Sequence, residues 1–218
     1  MKRQQGFTLV EIAIVLVIIG LILGGILKGQ ELIDSARVRS ISTDVNGIRT
    51  AWFAFQDRYN GLPGDFNNAK TQIDNNLTND GDGDGTVEDA AEMASVWEHL
   101  AAAGFISGNY DGVGTNAGTV EDTICATSTC PQNPFNGFYK IGFTNQGADN
   151  GGSANELGTG AQIPVNIILQ LDLKLDDGNA SQGELRVHDA TADGCKDGSG
   201  AWDIAGGQQS CAAVLRGF

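Results

Sequence analysis

Apolar residues fall into two patterns along the first part of the chain, and both patterns predict helix. The stretch from Phe7 to Leu27 is apolar except at Thr8 and Glu11. At about 1.5 Å per residue it spans roughly 31 Å, enough to cross the hydrocarbon core of a bilayer. Further along, apolar residues recur every three or four positions, as on one helix face: Ile41, Val45, Ile48, Trp52, Phe55 and Tyr59. We therefore predict one helix over residues 7–59, ended by Asn60-Gly61.

The remaining sequence is polar and rich in glycine, and its pattern predicts a few shorter elements. Residues 88–104 have helical spacing, and His99 within them is expected to be partly exposed rather than a ligand. Strands are predicted at Phe138–Phe143 and at residues 184–189. The segment from Pro164 to Asp177-Gly178 fits a helix by its spacing and a strand by its Ile and Val content. Most of residues 107–160 is predicted to form long loops.

The residues before the apolar run distinguish it from an ordinary secretory signal. Lys2 and Arg3 precede the run, which predicts a cytoplasmic N-terminus. A secretory signal has a shorter apolar core followed by a small-residue cleavage site. Here the apolar run continues into Lys28, and the small residue, Gly6, lies before it. The run is therefore predicted to remain as a single membrane span.

Glu11 is an unusual residue for such a span. A carboxylate there costs about 2.5–3.5 kcal/mol on insertion scales and needs a partner, yet no Lys or Arg occurs between Phe7 and Leu27. A cut between Gly6 and Phe7 would create an α-amine four residues before Glu11. In a bundle of identical helices, that amine would pair with the Glu11 of a neighbour and set the axial stagger between subunits.

The segment Lys-Arg-Gln-Gln-Gly-Phe-Thr-Leu-Val-Glu-Ile, residues 2–12, resembles the leader and cleavage site of type IV pilins and type II secretion pseudopilins. The resemblance implies that a prepilin peptidase cuts after Gly6 and methylates the amine of Phe7. It also implies the assembly role of Glu11. The fold it implies is α+β, the type IV pilin fold, in which a long N-terminal helix packs by its second half on a small antiparallel sheet.

The same resemblance implies a division of the chain. Residues 1–6 form the leader, residues 7–29 the transmembrane and polymerisation helix, and residues 30–218 a periplasmic or extracellular globular domain with long Gly-rich loops. The protein is expected to lie in the inner membrane before assembly, and then in a pilus at the cell surface or in the periplasm. Its expected partners are the prepilin peptidase and other pilin subunits.

Glycines interrupt the apolar helix and leave two interpretations open. Each costs about 1 kcal/mol relative to alanine in a helix interior. They favour either close packing between helices or a stretch that unwinds in the filament, as in some members of the family. The glycines are Gly20, Gly24, Gly25 and Gly29.

Net charge and cysteine content fit a domain outside the cytoplasm. The formal net charge is -14, which argues against nucleic acid as a partner because phosphates require Lys and Arg. The four cysteines are Cys125, Cys130, Cys195 and Cys211, an even number that predicts disulfides. Three connectivities are possible; the local pairs Cys125–Cys130 and Cys195–Cys211 are favoured because each closes a short loop. The second pair brackets the C-terminal region, as a disulfide does in many type IV pilins.

An acidic loop, residues 79–89, has the first half of a calcium-binding pattern. Asp80, Asp82 and Asp84 alternate and are followed by Gly85, as in the D-x-D-x-D-G loop. Thr86 would add a backbone carbonyl. Position 91 is Ala where an EF-hand has Glu, so Glu88, Asp89 or Glu92 would have to substitute. We predict a Ca²⁺ site formed by Asp80, Asp82, Asp84, Thr86 and Glu88, with a flexible acidic turn as the alternative.

Other candidate chemistry is sparse. Asp172, Asp176 and Asp177 fit a second cation site, but capping and turn roles are favoured for them. The sequence has no G-x-S-x-G, no phosphate-binding G-x-x-x-x-G-K-[ST] and no H-E-x-x-H, which predicts that the protein is not an enzyme. The leading function is a structural subunit of a type IV pilus or related filament. The alternatives are a type II secretion pseudopilin and a minor tip pilin that acts as an adhesin.

Overall fold

The computed structural model describes residues 9–114, 125–147, 152–189 and 192–218, and the chain divides into two compact units, residues 1–37 and 38–218. Helix α1, Leu9–Tyr59, runs through the boundary. It ends where predicted, because Asn60 adopts a left-handed conformation with φ 52°, which stops a helix. The helix is regular through all four glycines of the apolar run, so the structure shows no local unwinding there.

The second unit combines helices with one small sheet, which confirms the predicted α+β class. Within the residues that the structure describes, four antiparallel strands lie in the order β1-β2-β4-β3. The elements after α1 are α2 Ala69–Gln72, α3 Ala90–Ala102, β1 Lys140–Thr144, β2 Ala154–Gly158, α4 Val165–Leu175, β3 Leu185–Val187, α5 Ala192–Cys195 and β4 Ala213–Arg216.

The predicted elements after α1 are present with shifted ends. The helix predicted over 88–104 is α3, and the strands predicted at Phe138–Phe143 and 184–189 are β1 and β3. The segment after Pro164 is the helix α4, so the strand alternative is wrong. Strands β2 and β4 were not predicted. Their sequences, ANELG and AVLR, are short, and β2 has little β propensity, so pairing with neighbouring strands decides their conformation.

One hydrophobic core joins the second part of α1 to the sheet and to α3. From Val38 onward α1 buries the predicted apolar face, and Trp52 and Phe55 have no exposed surface. These side chains share the core with Trp97 of α3 and Ile141 of β1. The ring of Trp52 meets Phe218 edge-on, with ring centroids 5.8 Å apart.

Polar contacts also connect α1 to the rest of the second unit. The hydroxyl of Tyr139 donates a hydrogen bond to Asp44 Oδ2 at 3.0 Å. Arg49 forms an ion pair with Glu184 at 2.9 Å and lies over the ring of Phe218. These contacts fix which face of α1 lies against the sheet.

A buried ion pair spans β2 and β4. Arg216 and Glu156 are directly opposite in the register, and Arg216 Nε lies 3.1 Å from Glu156 Oε1, with the glutamate side chain 1% exposed. The other carboxylate oxygen, Glu156 Oε2, accepts hydrogen bonds from Thr144 Oγ1 and the Gln146 amide. The glutamate therefore also holds the end of β1.

Replacing Glu156 by Ala is expected to lower the free energy of unfolding by about 3–5 kcal/mol, because it removes a buried carboxylate that binds the Arg216 guanidinium, the Thr144 hydroxyl and the Gln146 amide. The matched control is Glu184→Ala, which removes a largely exposed partner of Arg49 and is expected to cost about 1 kcal/mol or less. Urea unfolding of the full chain in detergent measures both, with fluorescence of the three buried tryptophans as the signal. Equal costs for the two variants would contradict the structural role of the buried pair.

Candidate functional site

The first unit presents an apolar helical surface without protein cover. None of the described residues from 9 to 37 is buried, and large apolar side chains point outward all round the helix, Leu9 at 91% and Leu21 at 72% exposure. By length and composition α1 qualifies as a membrane-spanning helix. A soluble protein rarely exposes a contiguous apolar surface of this size, which marks membrane or helix contacts.

The predicted assembly residue lies at the beginning of this surface. Glu11 lies in the first turn of the described part of α1, where its side chain is exposed. Gly6 and Phe7 lie outside the described residues, so their predicted roles rest on the sequence.

The acidic loop has a different set of carboxylates from the one predicted. One carboxylate oxygen from each of Asp65, Asp82 and Asp84 lies within 4.8 Å of the others. Asp80 instead accepts a hydrogen bond from the Lys70 amide at 2.8 Å. Asp65 belongs to the segment GLPGDF before the loop, and no spacing rule connects it to residues 80–88. Only the fold reveals it as a member of the cluster.

The carboxylate of Asp65 lies at the centre of the hydrogen bonds that hold the acidic loop. It is 3% exposed, and its Oδ1 accepts hydrogen bonds from the amides of Gly83 and Asp84, while its Oδ2 accepts one from Gly85. Burial raises the pKa of Asp65, and the three amides oppose that rise. Gly81 permits this approach, because a Cβ there would lie 2.1 Å from the Asp65 backbone.

Other acidic side chains in the loop and in α3 also accept hydrogen bonds from backbone amides. Asp82 Oδ1 accepts from the Asp84 amide, and Asp84 Oδ1 accepts from the amide and hydroxyl of Thr86. Glu92, a buried residue of α3, accepts from the amides of Asp82 and Glu88, and burial raises its pKa. Glu88 thus contributes its amide to this network.

The geometry of the acidic loop therefore allows Ca²⁺ without depending on it. Three converging carboxylates supply oxygen ligands that suit calcium, yet each already accepts hydrogen bonds from the chain itself. The calcium site stays a prediction, with Asp65, Asp82 and Asp84 in place of the set that began at Asp80.

His99 is buried, which corrects the expectation of a partly exposed side chain. It has no exposed surface, and burial lowers its pKa. Its Nδ1 accepts a hydrogen bond from the Gly64 amide at 3.0 Å, so the proton belongs on Nε2, which donates to the Asn79 carbonyl at 3.1 Å. The neutral imidazole thereby joins the residues that precede Asp65 and Asp80.

Comparisons with known proteins bear on the N-terminal segment. The sequence model of the prokaryotic N-terminal methylation motif matches residues 1–27. The chain carries a type IV prepilin-like signal. The signal implies processing by a prepilin peptidase and assembly with other pilin subunits, and the apolar helix fits membrane anchoring before assembly. Searches of the curated proteins and of the solved structures found no significant match.

Both favoured cysteine pairs form disulfides in the structure of this prepilin-like chain. Cys125 is bonded to Cys130 and Cys195 to Cys211. The second bond closes a loop of 16 residues, for which the chain-entropy estimate is about 3 kcal/mol of stabilisation. It connects α5 to the residues just before β4, so the C-terminal strand is anchored at its start.

Replacing Asp65 by Asn is expected to lower the free energy of unfolding by about 2 kcal/mol, because an amide group cannot accept from all three loop amides. Asp80→Asn is the matched control. It keeps an oxygen for the Lys70 amide and is expected to cost about 0.5 kcal/mol or less. Urea unfolding in EDTA measures both costs without bound cations.

Adding CaCl₂ then tests the predicted calcium site. Calcium should raise the free energy of unfolding less in Asp84→Asn than in the parent. An equal increase in both would remove the calcium prediction for this loop.

The destabilisation caused by His99→Gln is expected to be larger at pH 7.5 than at pH 5. Burial depresses the pKa of His99 in the folded state, so its contribution is fully present above the unfolded value of about 6.5. It is lost as the pH falls, because the unfolded chain takes up the proton more readily. Unfolding free energies of the parent and the variant at both pH values measure this difference. A difference that does not change with pH would contradict a neutral, buried His99.

Proposed function

We propose that this protein is a structural subunit of a type IV pilus, cut after Gly6 and assembled through its N-terminal helix. The observation that carries the proposal is the apolar surface of the first unit, where none of the described residues from 9 to 37 is buried. Lipid covers this surface before assembly. In the filament, the same helix of neighbouring subunits replaces the lipid.

Glu11 determines the register in this proposal. Its carboxylate pairs with the α-amine of Phe7 on a neighbouring subunit, and that amine exists only after cleavage. Because a carboxylate in an apolar span costs about 2.5–3.5 kcal/mol, a pairing that recovers this energy changes an assembly equilibrium about a hundredfold. Cleavage therefore promotes assembly, because it creates the α-amine with which Glu11 of a neighbouring subunit pairs.

The C-terminal disulfide favours a pilus subunit over a pseudopilin. Cys195 and Cys211 bracket the C-terminal region, as a disulfide does in many type IV pilins. The pseudopilin remains the second candidate because pseudopilins often use calcium and the acidic loop has a candidate calcium site.

Replacing Glu11 by Ala is expected to leave processing intact and to reduce filaments about a hundredfold, in line with the lost pairing energy. The matched control is Glu31→Ala on the same helix, since Glu31 is already paired with Lys28 within the chain at 2.7 Å. Mass spectrometry of sheared surface material and of membranes measures chains that begin at N-methylated Phe7.

Normal amounts of Glu11→Ala chains in the sheared fraction would contradict the pairing role of Glu11. The location of the parent chain distinguishes the two candidate functions. Abundant processed chain in the sheared fraction supports the pilus subunit. Processed chain confined to membranes, together with a secretion defect in a deletion strain, would support the pseudopilin.

A further inference from the structure

A second acidic cluster lies at the C-terminal end of α4. One carboxylate oxygen from each of Asp172, Asp176 and Asp177 lies within 4.8 Å of the others. Asp172 is in the last turns of α4, Asp176 follows its final residue, and Asp177 lies in the turn toward β3. The cluster is separate in sequence from the acidic loop at residues 79–89.

Two of these residues have the turn roles that the sequence favoured. Asp176 Oδ2 accepts hydrogen bonds from the amides of Glu184 and Leu185, at the start of β3. Asp177 Oδ1 accepts one from the Asn179 amide at 2.8 Å. Hydrogen bonds of this kind are common in turns and do not by themselves indicate a ligand.

Asp172 differs from both neighbours because its carboxylate is buried and incompletely satisfied. The residue has no exposed surface, and its Oδ2 accepts a hydrogen bond from Trp202 Nε1 at 2.7 Å. Among the residues that the structure describes, its Oδ1 makes no hydrogen bond of normal geometry, although the Gly178 amide lies near the carboxylate and lowers its pKa. A buried charged oxygen without a well-formed hydrogen bond is costly.

We propose that Asp172, Asp176 and Asp177 bind a hard divalent cation, with Ca²⁺ as the ion that fits best. Three carboxylates supply oxygen ligands and three formal negative charges, which suit Ca²⁺. Mg²⁺ is usually bound through one or two carboxylates and keeps several waters. The soft ligands nearest in sequence, Cys195 and Cys211, are consumed in a disulfide, so the site does not favour zinc.

The cation would connect three parts of the second unit. Asp172 contacts Trp202, which lies in the segment closed by the Cys195–Cys211 disulfide. Asp176 holds the start of β3 through two amides. Binding therefore stabilises the C-terminal region as a whole, and this effect is independent of the machine that assembles the subunit.

Terbium luminescence provides the test, because Tb³⁺ replaces Ca²⁺ at oxygen sites and the indole of Trp202 lies beside Asp172. The full chain in detergent is titrated with Tb³⁺ under tryptophan excitation, and Ca²⁺ is then added to displace it. Asp177→Asn is the principal variant, because the amide oxygen preserves the bond from the Asn179 amide while one charge is lost. Asp172→Asn removes the buried charge.

Two control variants test whether Tb³⁺ binds at this cluster rather than at other carboxylates. Asp203→Asn changes a nearby residue that accepts a hydrogen bond from the Gly206 amide. Asp84→Asn changes the acidic loop near residue 82. Fluorescence and circular dichroism confirm that each variant is folded, and Asp177→Asn decides the test if Asp172→Asn does not fold.

The expected result is saturable Tb³⁺ emission that Ca²⁺ displaces, with the Kd raised tenfold or more by Asp177→Asn and changed less than twofold by Asp203→Asn and Asp84→Asn. Absence of saturable emission in the parent would overturn the proposal. Equal Kd values in the parent and in folded Asp177→Asn would overturn it as well.

Discussion

Between Leu9 and Ile33 the N-terminal helix exposes a long series of apolar side chains, and none of the described residues from 9 to 37 is buried. Each Å² of such surface in water costs about 25 cal/mol, so the stretch requires lipid or other apolar helices. From Val38 the same helix meets this requirement internally, because its apolar face is buried in the core of the second unit. One continuous helix thus contains a segment whose apolar face is buried in the core of the second unit and a segment whose apolar surface requires lipid or other helices. Membrane anchoring and assembly follow from that difference.

In the described part of the second unit, buried carboxylates accept hydrogen bonds from several backbone amides that lie in loops. Amides in loops need acceptors when no strand or helix supplies them. Asp65 accepts from three amides of the acidic loop, Glu98 accepts from the Thr78 amide, and Glu156 accepts from the Gln146 amide. All three carboxylates are buried or nearly so. Some of the acidic residues therefore have a structural role, because their carboxylates bind loop amides inside a glycine-rich domain.

Local sequence patterns predicted the helices whose apolar residues recur at regular spacing. They did not predict a strand or a side-chain position that depends on contacts with residues distant in sequence. The helical spacing from Ile41 to Tyr59 and the stop at Asn60 are both present in α1. Strand β2 was missed because Asn155 and Gly158 have low β propensity and the strand exists through its pairing with β1 and β4. Asp65 was missed as a residue that binds the acidic loop because it lies fourteen residues before the loop begins. His99 was expected to be partly exposed because its two hydrogen-bond partners, Gly64 and Asn79, are distant in sequence.

The two acidic clusters show why a count of carboxylates is a poor guide to cation binding. In the acidic loop, glycines allow three amides to converge on Asp65, so its negative charge is matched by backbone donors. At the end of α4, the indole of Trp202 donates to one oxygen of Asp172, and the other buried oxygen makes no hydrogen bond of normal geometry among the described residues. Burial raises the pKa of Asp172 to about 6, the Trp202 indole and the Gly178 amide oppose the rise, and the carboxylates of Asp176 and Asp177 add to it. The two clusters therefore differ in the backbone donors that reach their buried carboxylates, and the number of carboxylates alone does not show this difference.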